Sequence, residues 1–353
     1  MVNKDSIQDQ KPLVSLIIPG YNEEAIVVKN LAIICDYVAK LSDEYNWEII
    51  FVNDGSIDNT GPLAEGFALK NSIVKVINHV VNLNLGNALK TGFANAKGEY
   101  VITLDLDLSY APYHISNILK TLVGTRADVV IASPYMKGGK VTAIPFTRLL
   151  LSKWVNRFMR LAAQEKFYTF TGMVRGYRTE FVKSLNLKTK NYEINPEILY
   201  KAMILRARII EIPAHLDWTE QNKLGNKRTS GMRILETFLS GLMAGFIFRP
   251  YIFFLTFGIV LLVLALYVIG WILINTFRLM PTIIITNPHF FDDRFSAAVG
   301  AVFNQHPQSF IVGGITLLAA IQVLSLSFIS LQQKRYFEEM FHINTSILKQ
   351  TKI

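Results

Sequence analysis

The sequence predicts an α/β domain with a mostly parallel sheet in the first two thirds of the chain and two transmembrane helices in the last third. Strand-like and helix-like segments alternate from about residue 13 to residue 212. Two long uncharged apolar runs follow after residue 250. The three polar turns that end neighbouring strands mark the edge of the sheet where a ligand is expected.

The predicted strands are short apolar runs, and each ends in a turn signal. They read "LVSLIIPG", "WEIIFVNDGS", "IVKVINH", "YVITL" and "ADVVIAS". Between them lie stretches with helical spacing, such as "EEAIVVKNLAIICDYVAKL", whose acidic residues are predicted to occupy its first turn. Strands separated by helices indicate a parallel sheet with both faces covered.

Three of these strands end in polar residues, "PGYNE", "NDGSIDNT" and "DLDLS". In parallel sheets, ligands bind beyond the carboxyl ends of the strands, where the strand order reverses. The coincidence of three polar strand ends therefore predicts a binding site there.

The stretch "YVITLDLDLS" carries two carboxylates, Asp105 and Asp107, directly after an apolar run. If the strand continues, residues two positions apart point to the same side, where two like charges repel each other. A divalent cation removes that repulsion, and hard oxygen ligands suit Mg²⁺ or Mn²⁺. Enzymes that act on nucleotides need such an ion to neutralise a leaving diphosphate. By itself the Asp-X-Asp pattern is a weak signal, because it occurs by chance and usually marks a solvated loop.

Other ligand classes are excluded by missing motifs. The sequence has no G-x-x-x-x-G-K-[ST] loop, no G-x-G-x-x-G after the first strand and no His/Cys cluster for zinc.

Its single cysteine, Cys35, excludes an internal disulfide. The net charge of +9 is spread along the chain, without a nucleic-acid-binding pattern. Anionic lipid is the expected partner of this charge, and no nucleic acid is expected.

The two apolar runs, 251–277 and 310–331, each exceed the ~20 residues needed to cross a bilayer. We assign residues 1–228 to the α/β domain, 229–249 to a juxtamembrane amphipathic segment, 250–278 and 310–332 to the spans, 279–309 to an extracytoplasmic loop and 333–353 to a cytoplasmic tail. The juxtamembrane segment is predicted either to lie in the membrane interface or to pack on the α/β domain.

Positive residues predict the orientation. Lys and Arg are concentrated before the first span and after the second: Lys227, Arg228, Arg233, Arg249, Lys334 and Arg335. The intervening stretch from Arg278 to Ser309 has only two, Arg278 and Arg294, balanced by Asp292 and Asp293. Because positive residues stay cytoplasmic, the α/β domain and the tail are predicted to be cytosolic.

Five blocks, in this order, resemble the family 2 glycosyltransferases: "VSLIIPGYNEE", "IIFVNDGSIDNT", "NLGNALKTGFANAKGEYVITLDLD", "VRGYR" and "NPEILYKA". The likeness is strongest to the dolichol-phosphate mannose synthases and the bacterial polyprenyl-phosphate glycosyltransferases, and it spans roughly residues 13–235. It implies a GT-A (Rossmann-like) fold, a GDP- or UDP-linked sugar donor, a divalent cation (Mg²⁺ or Mn²⁺) and inversion at the anomeric carbon.

The resemblance also implies roles for single residues. Positions expected to hold the donor nucleotide are Pro19, Tyr21, Glu23, Val52 and Asp54. Asp105 and Asp107 match the metal motif and are the expected catalytic pair. Positions expected to hold the acceptor phosphate are Arg148, Ser152 and Arg228. Without the other blocks, Pro19 and Tyr21 are typical of a plain turn, and Glu197 is typical of a carboxylate that accepts from backbone N–H groups at a helix start.

Arg148 and Ser152 lie on "PFTRLLLSKWVNRFMRLAA", which reads as an amphipathic helix. Its apolar stripe is predicted to contain Leu151, Trp154, Val155 and Phe158. Pattern alone favours a helix that covers the sheet with a solvated basic side. The i,i+4 spacing nevertheless makes Arg148 and Ser152 neighbours, and both can donate to a phosphate.

Three positions depart from the family pattern. Ser109 stands where relatives often have Gln, which puts a third protein ligand to the metal in doubt. Pro134 replaces an arginine, and Tyr168 replaces an acid. An acceptor phosphate needs no general base, because its second pKa near 6 leaves it ionised at neutral pH. The missing acid therefore favours a lipid phosphate acceptor.

The sequence thus predicts a membrane enzyme that transfers one sugar from a nucleotide to polyprenyl or dolichyl phosphate. A processive polysaccharide synthase is disfavoured, because the chain has no Arg-Trp pair. Two alternatives stay open: a non-catalytic binding or scaffolding module built on a decayed transferase domain, and a homo-oligomer formed through the transmembrane helices.

Overall fold

The computed structural model describes residues 11–162, 167–223, 250–284 and 293–350. The chain divides into two units, Met1–Phe248 with Phe341–Ile353, and Arg249–Met340. Several positions named above lie outside the described residues: the site residue Arg228, the flanking cations at 227, 233 and 249, and the whole juxtamembrane segment 229–249.

The first unit alternates strands and helices as predicted. The strands are β1 (Leu13–Gly20), β2 (Asn46–Asn53), β3 (Val74–Asn78), β4 (Tyr100–Thr103), β5 (Val129–Ser133), β6 (Lys140–Thr142), β7 (Arg175–Arg178), β8 (Ile209–Pro213) and β9 (His215–Asp217). The helices are α1 (Val27–Ala39), α2 (Thr60–Ala68), α3 (Leu85–Asn95), α4 (Tyr113–Thr125), α5 (Phe146–Ala162), α6 (Thr179–Ser184), α7 (Ile194–Ile204) and α8 (Thr219–Lys223).

Seven strands form one sheet in the order β3-β2-β1-β4-β7-β5-β8, and β6 pairs with β9 in a second, two-stranded sheet. Every pairing in the large sheet is parallel except the two made by β7. The chain runs outward from β1 to β3 and then returns to place β4 on the other side of β1. The strand order therefore reverses between β1 and β4, and a crevice is expected at their carboxyl ends.

Both faces of the sheet are covered, which confirms the prediction of a buried parallel sheet. One core packs α1 and α4 against the sheet, with Leu31, Ile34 and Ile118 fully buried. The other core brings α3, α5 and α7 to the opposite face, with Met159 and Ile198 fully buried. Strands buried on both sides read as continuous apolar runs, which is why these segments lack polar alternation.

One helix boundary was predicted wrongly. The acidic residues Glu23 and Glu24 do not lie in the first turn of α1, because the helix begins at Val27. The Glu24 carboxylate instead accepts from the backbone N–H of Asn59 at 3.0 Å, and Asn22 accepts from Ile57 at 2.9 Å. Hydrogen bonds between two neighbouring turns thus replace the first helical turn that the sequence suggested.

The antiparallel strand β7 lies between β4 and β5 and contains the "RGYR" block. A Cβ added to Gly176 would lie 2.2 Å from Ile118 and 2.6 Å from Leu122 on α4. Glycine is required here because α4 packs directly on the backbone of the strand. The block therefore has a structural explanation.

The second unit contains two helices long and apolar enough to span a membrane, over Tyr251–Thr282 and Pro307–Thr345. These belong to α9 (Pro250–Leu279), which continues into a 3₁₀ turn (Met280–Thr282), and to α11 (Pro307–Gln350), with α10 (Asp293–Gln305) between them. A Cβ on Gly258 would approach Leu324 to 2.8 Å, so a small residue allows α9 and α11 to pack closely. The helix α11 extends well beyond the predicted span 310–332, into the segment expected to be a tail.

Candidate active site

The donor residues implied by the resemblance gather at the carboxyl ends of β1 and β2. Pro19 and Val52 are direct partners in the parallel ladder. Tyr21 and Glu23 follow β1 in the turn that faces the 56–60 turn, and the Tyr21 ring is 39% exposed. Asp54 directly follows β2, so all five positions lie at one edge of the sheet.

Asp54 is buried and holds a network that the sequence did not indicate. Its Oδ1 atom accepts from the backbone N–H of Leu83 at 3.0 Å and lies 2.7 Å from Nδ1 of His79. The other ring nitrogen of His79 lies 2.9 Å from the Thr91 hydroxyl. Because an ionised carboxylate only accepts, Nδ1 carries the proton. His79 and the backbone of Leu83 therefore orient the Asp54 carboxylate.

Asp105 and Asp107 lie just beyond β4, at the edge of the sheet where the strand order reverses. Our prediction that they lie on a continuing strand is wrong, because β4 ends at Thr103 and a turn follows. Both residues are nevertheless half-buried while Leu104 and Leu106 are buried, so the two aspartates share the more open side. Leu108 has a positive φ of 53°, which ends the extended path and turns the chain back.

The aspartate turn is held from two sides. The Asp107 carboxylate accepts from the backbone N–H of Ser109 at 3.0 Å, and its carbonyl accepts from the Gln221 side chain at 3.2 Å. The described residues contain no group of three His, Cys, Asp or Glu side chains that could hold a metal. Two carboxylates still fit Mg²⁺ or Mn²⁺, because such ions are usually held by one or two protein carboxylates, with phosphate and water oxygens completing the shell.

The helix α5 brings Arg148 and Ser152 together with two aromatic residues that the sequence analysis missed. The Arg148 guanidinium lies 4.1 Å from the ring centre of Trp218. The Ser152 hydroxyl is 2.7 Å from the Tyr135 hydroxyl. Burial raises the pKa of Tyr135, so its hydroxyl stays protonated at neutral pH. The sequence signal for these partners was weak, since both lie in short polar loops.

A single segment connects the aspartate turn with this cluster. Trp218 stacks on Arg148, and Gln221, one turn further along α8, donates to the backbone of Asp107. The backbone N–H of Asp217 also donates to the carbonyl of Ser109 at 2.8 Å. The segment 217–221 thus contacts both the aspartate turn and Arg148.

A carboxylate lies beside Tyr168, the position where relatives often have an acid. The Glu211 carboxylate on β8 accepts from the backbone N–H groups of Tyr168 and Thr169 at 2.9 to 3.0 Å. Burial raises the pKa of Glu211 despite these hydrogen bonds. The sequence gave no reason to single out an acid inside the apolar strand "IIEIP". Glu211 thus holds the segment that contains Tyr168 and Thr169. The other departure, Pro134, directly follows Ser133, and the Ser133 hydroxyl lies 2.7 Å from the Thr169 hydroxyl of the same segment.

Glu197 in the "NPEILYKA" block has a structural role. Its carboxylate accepts from the backbone N–H groups of Lys188 and Thr189 and lies 2.6 Å from the Lys201 ammonium. These backbone groups belong to the preceding loop, whereas the sequence suggested the start of its own helix. Burial by itself raises the pKa of Glu197, but the hydrogen bonds from Lys201 and Thr189 outweigh it and bring the pKa below the ordinary value of 4.5.

We expect Glu197→Gln to lower the stability of the domain by about 3 kcal/mol at neutral pH, because the buried Lys201 ammonium loses its counter-charge. A carboxyl with a lowered folded-state pKa stabilises above its unfolded pKa and loses that contribution as the pH falls. The melting temperatures of wild type and variant should therefore converge below about pH 4.5. The exposed Glu180→Gln is the control and should match wild type. If the difference in melting temperature between wild type and Glu197→Gln stays constant down to pH 3.5, the prediction is wrong.

Comparison with known proteins gives matches over this unit. The profile described as "Glycosyl transferase family 2" matches residues 15–186. The polyprenol monophosphomannose synthase of Mycolicibacterium smegmatis is 33% identical over 228 residues, covering 63% of this chain and 82% of that protein. The dolichol-phosphate mannosyltransferase of Pyrococcus furiosus is 32% identical over 203 residues, covering 57% of this chain and 55% of that protein. Among solved structures, glucosyl-3-phosphoglycerate synthase from Mycobacterium tuberculosis matches with a TM-score of 0.47 and 18% identity, covering 66% of this chain and 80% of that chain.

Proposed function

Since the chain belongs to glycosyl transferase family 2 and is a glycosyltransferase with a GT-A fold, we propose that it transfers one sugar from a GDP- or UDP-linked donor to polyprenyl or dolichyl phosphate. The relatives named above act, by their names, on polyprenol and dolichol phosphates, and this supports a lipid phosphate acceptor. The two apolar helices of the second unit fit an enzyme whose acceptor resides in a membrane.

One observation carries the proposal: the 217–221 segment joins the Asp105–Asp107 turn to Arg148 at the edge of the sheet where the strand order reverses. The aspartates would hold a divalent cation, Mg²⁺ or Mn²⁺, which when bound neutralises charge on the donor diphosphate. The donor nucleotide would lie along Pro19, Tyr21, Glu23, Val52 and Asp54. Arg148 and Ser152 would bind the acceptor phosphate beside it, together with Arg228, which lies outside the described residues.

The reaction follows from this placement. A phosphate oxygen of the acceptor attacks the anomeric carbon, the bond from that carbon to the diphosphate oxygen breaks, and the nucleoside diphosphate leaves with the electron pair. The configuration inverts, because attack comes from the face opposite the leaving group. The attacking oxygen is already ionised, so no proton has to move. The side chains of this site have to align two anions and offset their repulsion.

The test is an assay of the purified protein in detergent with polyprenyl phosphate, Mn²⁺ or Mg²⁺ and a panel of GDP- and UDP-sugars, beginning with mannose. Formation of a lipid-phosphate sugar with one donor supports the proposal and identifies the sugar and nucleotide. Nucleotide binding without transfer or donor hydrolysis would instead support a non-catalytic binding module.

We further propose that the first unit faces the cytoplasm, on the basis of the charge distribution around the spans. In a Cys35→Ala background, Gln305→Cys should react with an impermeant maleimide on intact cells, because Gln305 ends α10, between the two membrane-length helices. Lys70→Cys, on the first unit, should react only after lysis. The reverse pattern would place the site on the opposite side of the membrane.

A further inference from the structure

The hydroxyl groups of Tyr135 and Ser152 form a pair whose hydrogen bonds can be counted. The two oxygen atoms lie 2.7 Å apart, and either can be the donor. Each hydroxyl carries one proton, so the pair has two protons to donate. In the part of the chain that the structure describes, each of these two hydroxyls hydrogen-bonds only to the other. The bond between them uses one proton, and one O–H group is left to donate to another partner.

A second tyrosine–serine pair in the same unit uses both of its protons. The Tyr37 hydroxyl donates to the Ser116 hydroxyl on α4 at 2.9 Å, and the Ser116 hydroxyl donates to the carbonyl of Tyr113 at 2.9 Å. Helical serines commonly bond in this way to a carbonyl three or four residues earlier in their own helix. The protein therefore satisfies this pair completely, whereas the pair of Tyr135 and Ser152 keeps one proton for a ligand.

The surroundings of this pair favour an anion as the acceptor of the remaining proton. Burial raises the pKa of Tyr135 above its ordinary value of 10 and outweighs the opposing effects of the Ser152 hydrogen bond and the Arg148 charge, so the phenol stays neutral. Arg148 lies one helical turn before Ser152, and both Tyr135 and Ser152 are half-buried, which leaves them open to a ligand. A guanidinium beside a neutral O–H donor is a combination that binds phosphate oxygens.

We propose that Tyr135 is a positioning residue of the acceptor site, which donates to Ser152 and thereby directs the Ser152 proton to the acceptor phosphate. The phenol is the more acidic hydroxyl and donates to the serine, as Tyr37 does in the other pair. Hydrogen bonds in a chain polarise one another, so the Ser152 O–H becomes a stronger donor. The inference rests on the proposed function, because it takes Arg148 and Ser152 as phosphate-binding residues. It deepens that function by assigning a role to a residue outside the predicted site.

A double-mutant cycle on acceptor binding tests this role, with Tyr135→Phe, Ser152→Ala and the two substitutions combined. The dissociation constant of undecaprenyl phosphate is measured for the full chain in detergent, without a nucleotide-sugar. Ser152→Ala should raise this constant about tenfold, and Tyr135→Phe, which removes only the hydroxyl oxygen, should raise it about fivefold. Because Tyr135 acts through Ser152, the combined variant should also bind about tenfold more weakly than wild type, whereas independent effects would multiply to about fiftyfold.

Two controls separate a phosphate contact from a packing effect. Tyr37→Phe removes the phenol hydroxyl of the other pair and should bind undecaprenyl phosphate as the wild type does. Undecaprenol has the same hydrocarbon chain without the phosphate, and its binding to wild type and to Tyr135→Phe should be the same.

Three results would each overturn the inference: wild-type affinity in Tyr135→Phe, a loss of about fiftyfold in the combined variant, or an equal loss of undecaprenol binding. If the wild type transfers sugar in the same preparation, such a result counts against the role of Tyr135 and leaves the proposed function standing. The cycle needs no turnover. A combined variant that binds no more weakly than Ser152→Ala, in a preparation that transfers no sugar, would therefore support the inference and count only against the proposed function.

Discussion

Asp107→Asn is expected to lower the rate of sugar transfer by about a thousandfold, or about 4 kcal/mol in the barrier. The structure places Asp105 and Asp107 half-buried in one turn, and the described residues offer no third acidic, histidine or cysteine ligand beside them. Removing one carboxylate charge therefore halves the protein's contribution to the cation site. Asp105→Asn should have the same effect, and excess EDTA should abolish transfer by the wild type.

The fold should survive these substitutions, because each removes one member of a like-charged pair. The far-UV circular dichroism and the melting temperature of Asp107→Asn should match those of the wild type. Asp43→Asn, at an exposed aspartate, should retain full activity. Strong transfer by Asp107→Asn, or by wild-type protein in EDTA, would exclude a metal-dependent role for the pair.

Arg148→Ala is expected to raise the KM for polyprenyl phosphate at least tenfold, or about 1.4 kcal/mol, while donor affinity changes little. Arginine can bind a phosphate through two N–H groups, and Trp218 holds the guanidinium plane from one side. Arg148→Lys should restore only part of the affinity for the acceptor, because a lysine ammonium cannot bind a phosphate in a bidentate manner and cannot stack on an indole as a planar guanidinium does.

Steady-state kinetics with each substrate varied in turn separates acceptor from donor effects. Lys120→Ala, at an exposed residue of α4, serves as the control for a general loss of positive charge. If the KM values for donor and acceptor rise equally, or if neither rises, the prediction is wrong, and Arg148 has only a structural role through its contact with Trp218.

The sequence predicted the position of the aspartate pair well but not its local conformation. The polar residues after "YVITL" indicated a site at the carboxyl edge of the sheet, and the strand order confirms that this edge is the switch between β1 and β4. The strand β4 ends at Thr103, one residue before the end of "YVITL", and the chain then turns, with Leu108 in a left-handed conformation and the Ser109 carbonyl accepting from the backbone N–H of Asp217. That pairing depends on β9, which the sequence did not reveal as a strand.

The apolar stripe of α5 was predicted with one error, at Trp154. Helical spacing correctly grouped Leu151 with Val155, but Trp154 is exposed. A hydrophobic pattern shows which residues prefer burial without showing how wide the covered arc is. The width is decided by which elements pack against the helix, here the segment around Phe170 that Asn156 holds.

Hydropathy and periodicity by themselves determined the alternating α/β domain, the parallel sheet buried on both faces and the two membrane-length helices, because apolar burial follows from residue type and local spacing. Only the tertiary structure decided which polar groups meet. His79 reaches Asp54 across 25 residues, Glu211 reaches Tyr168 across 43, and Trp218 lies against Arg148. Such contacts depend on the strand order and on the antiparallel insertion of β7. The residues next to a side chain in the sequence do not indicate which distant residue it contacts.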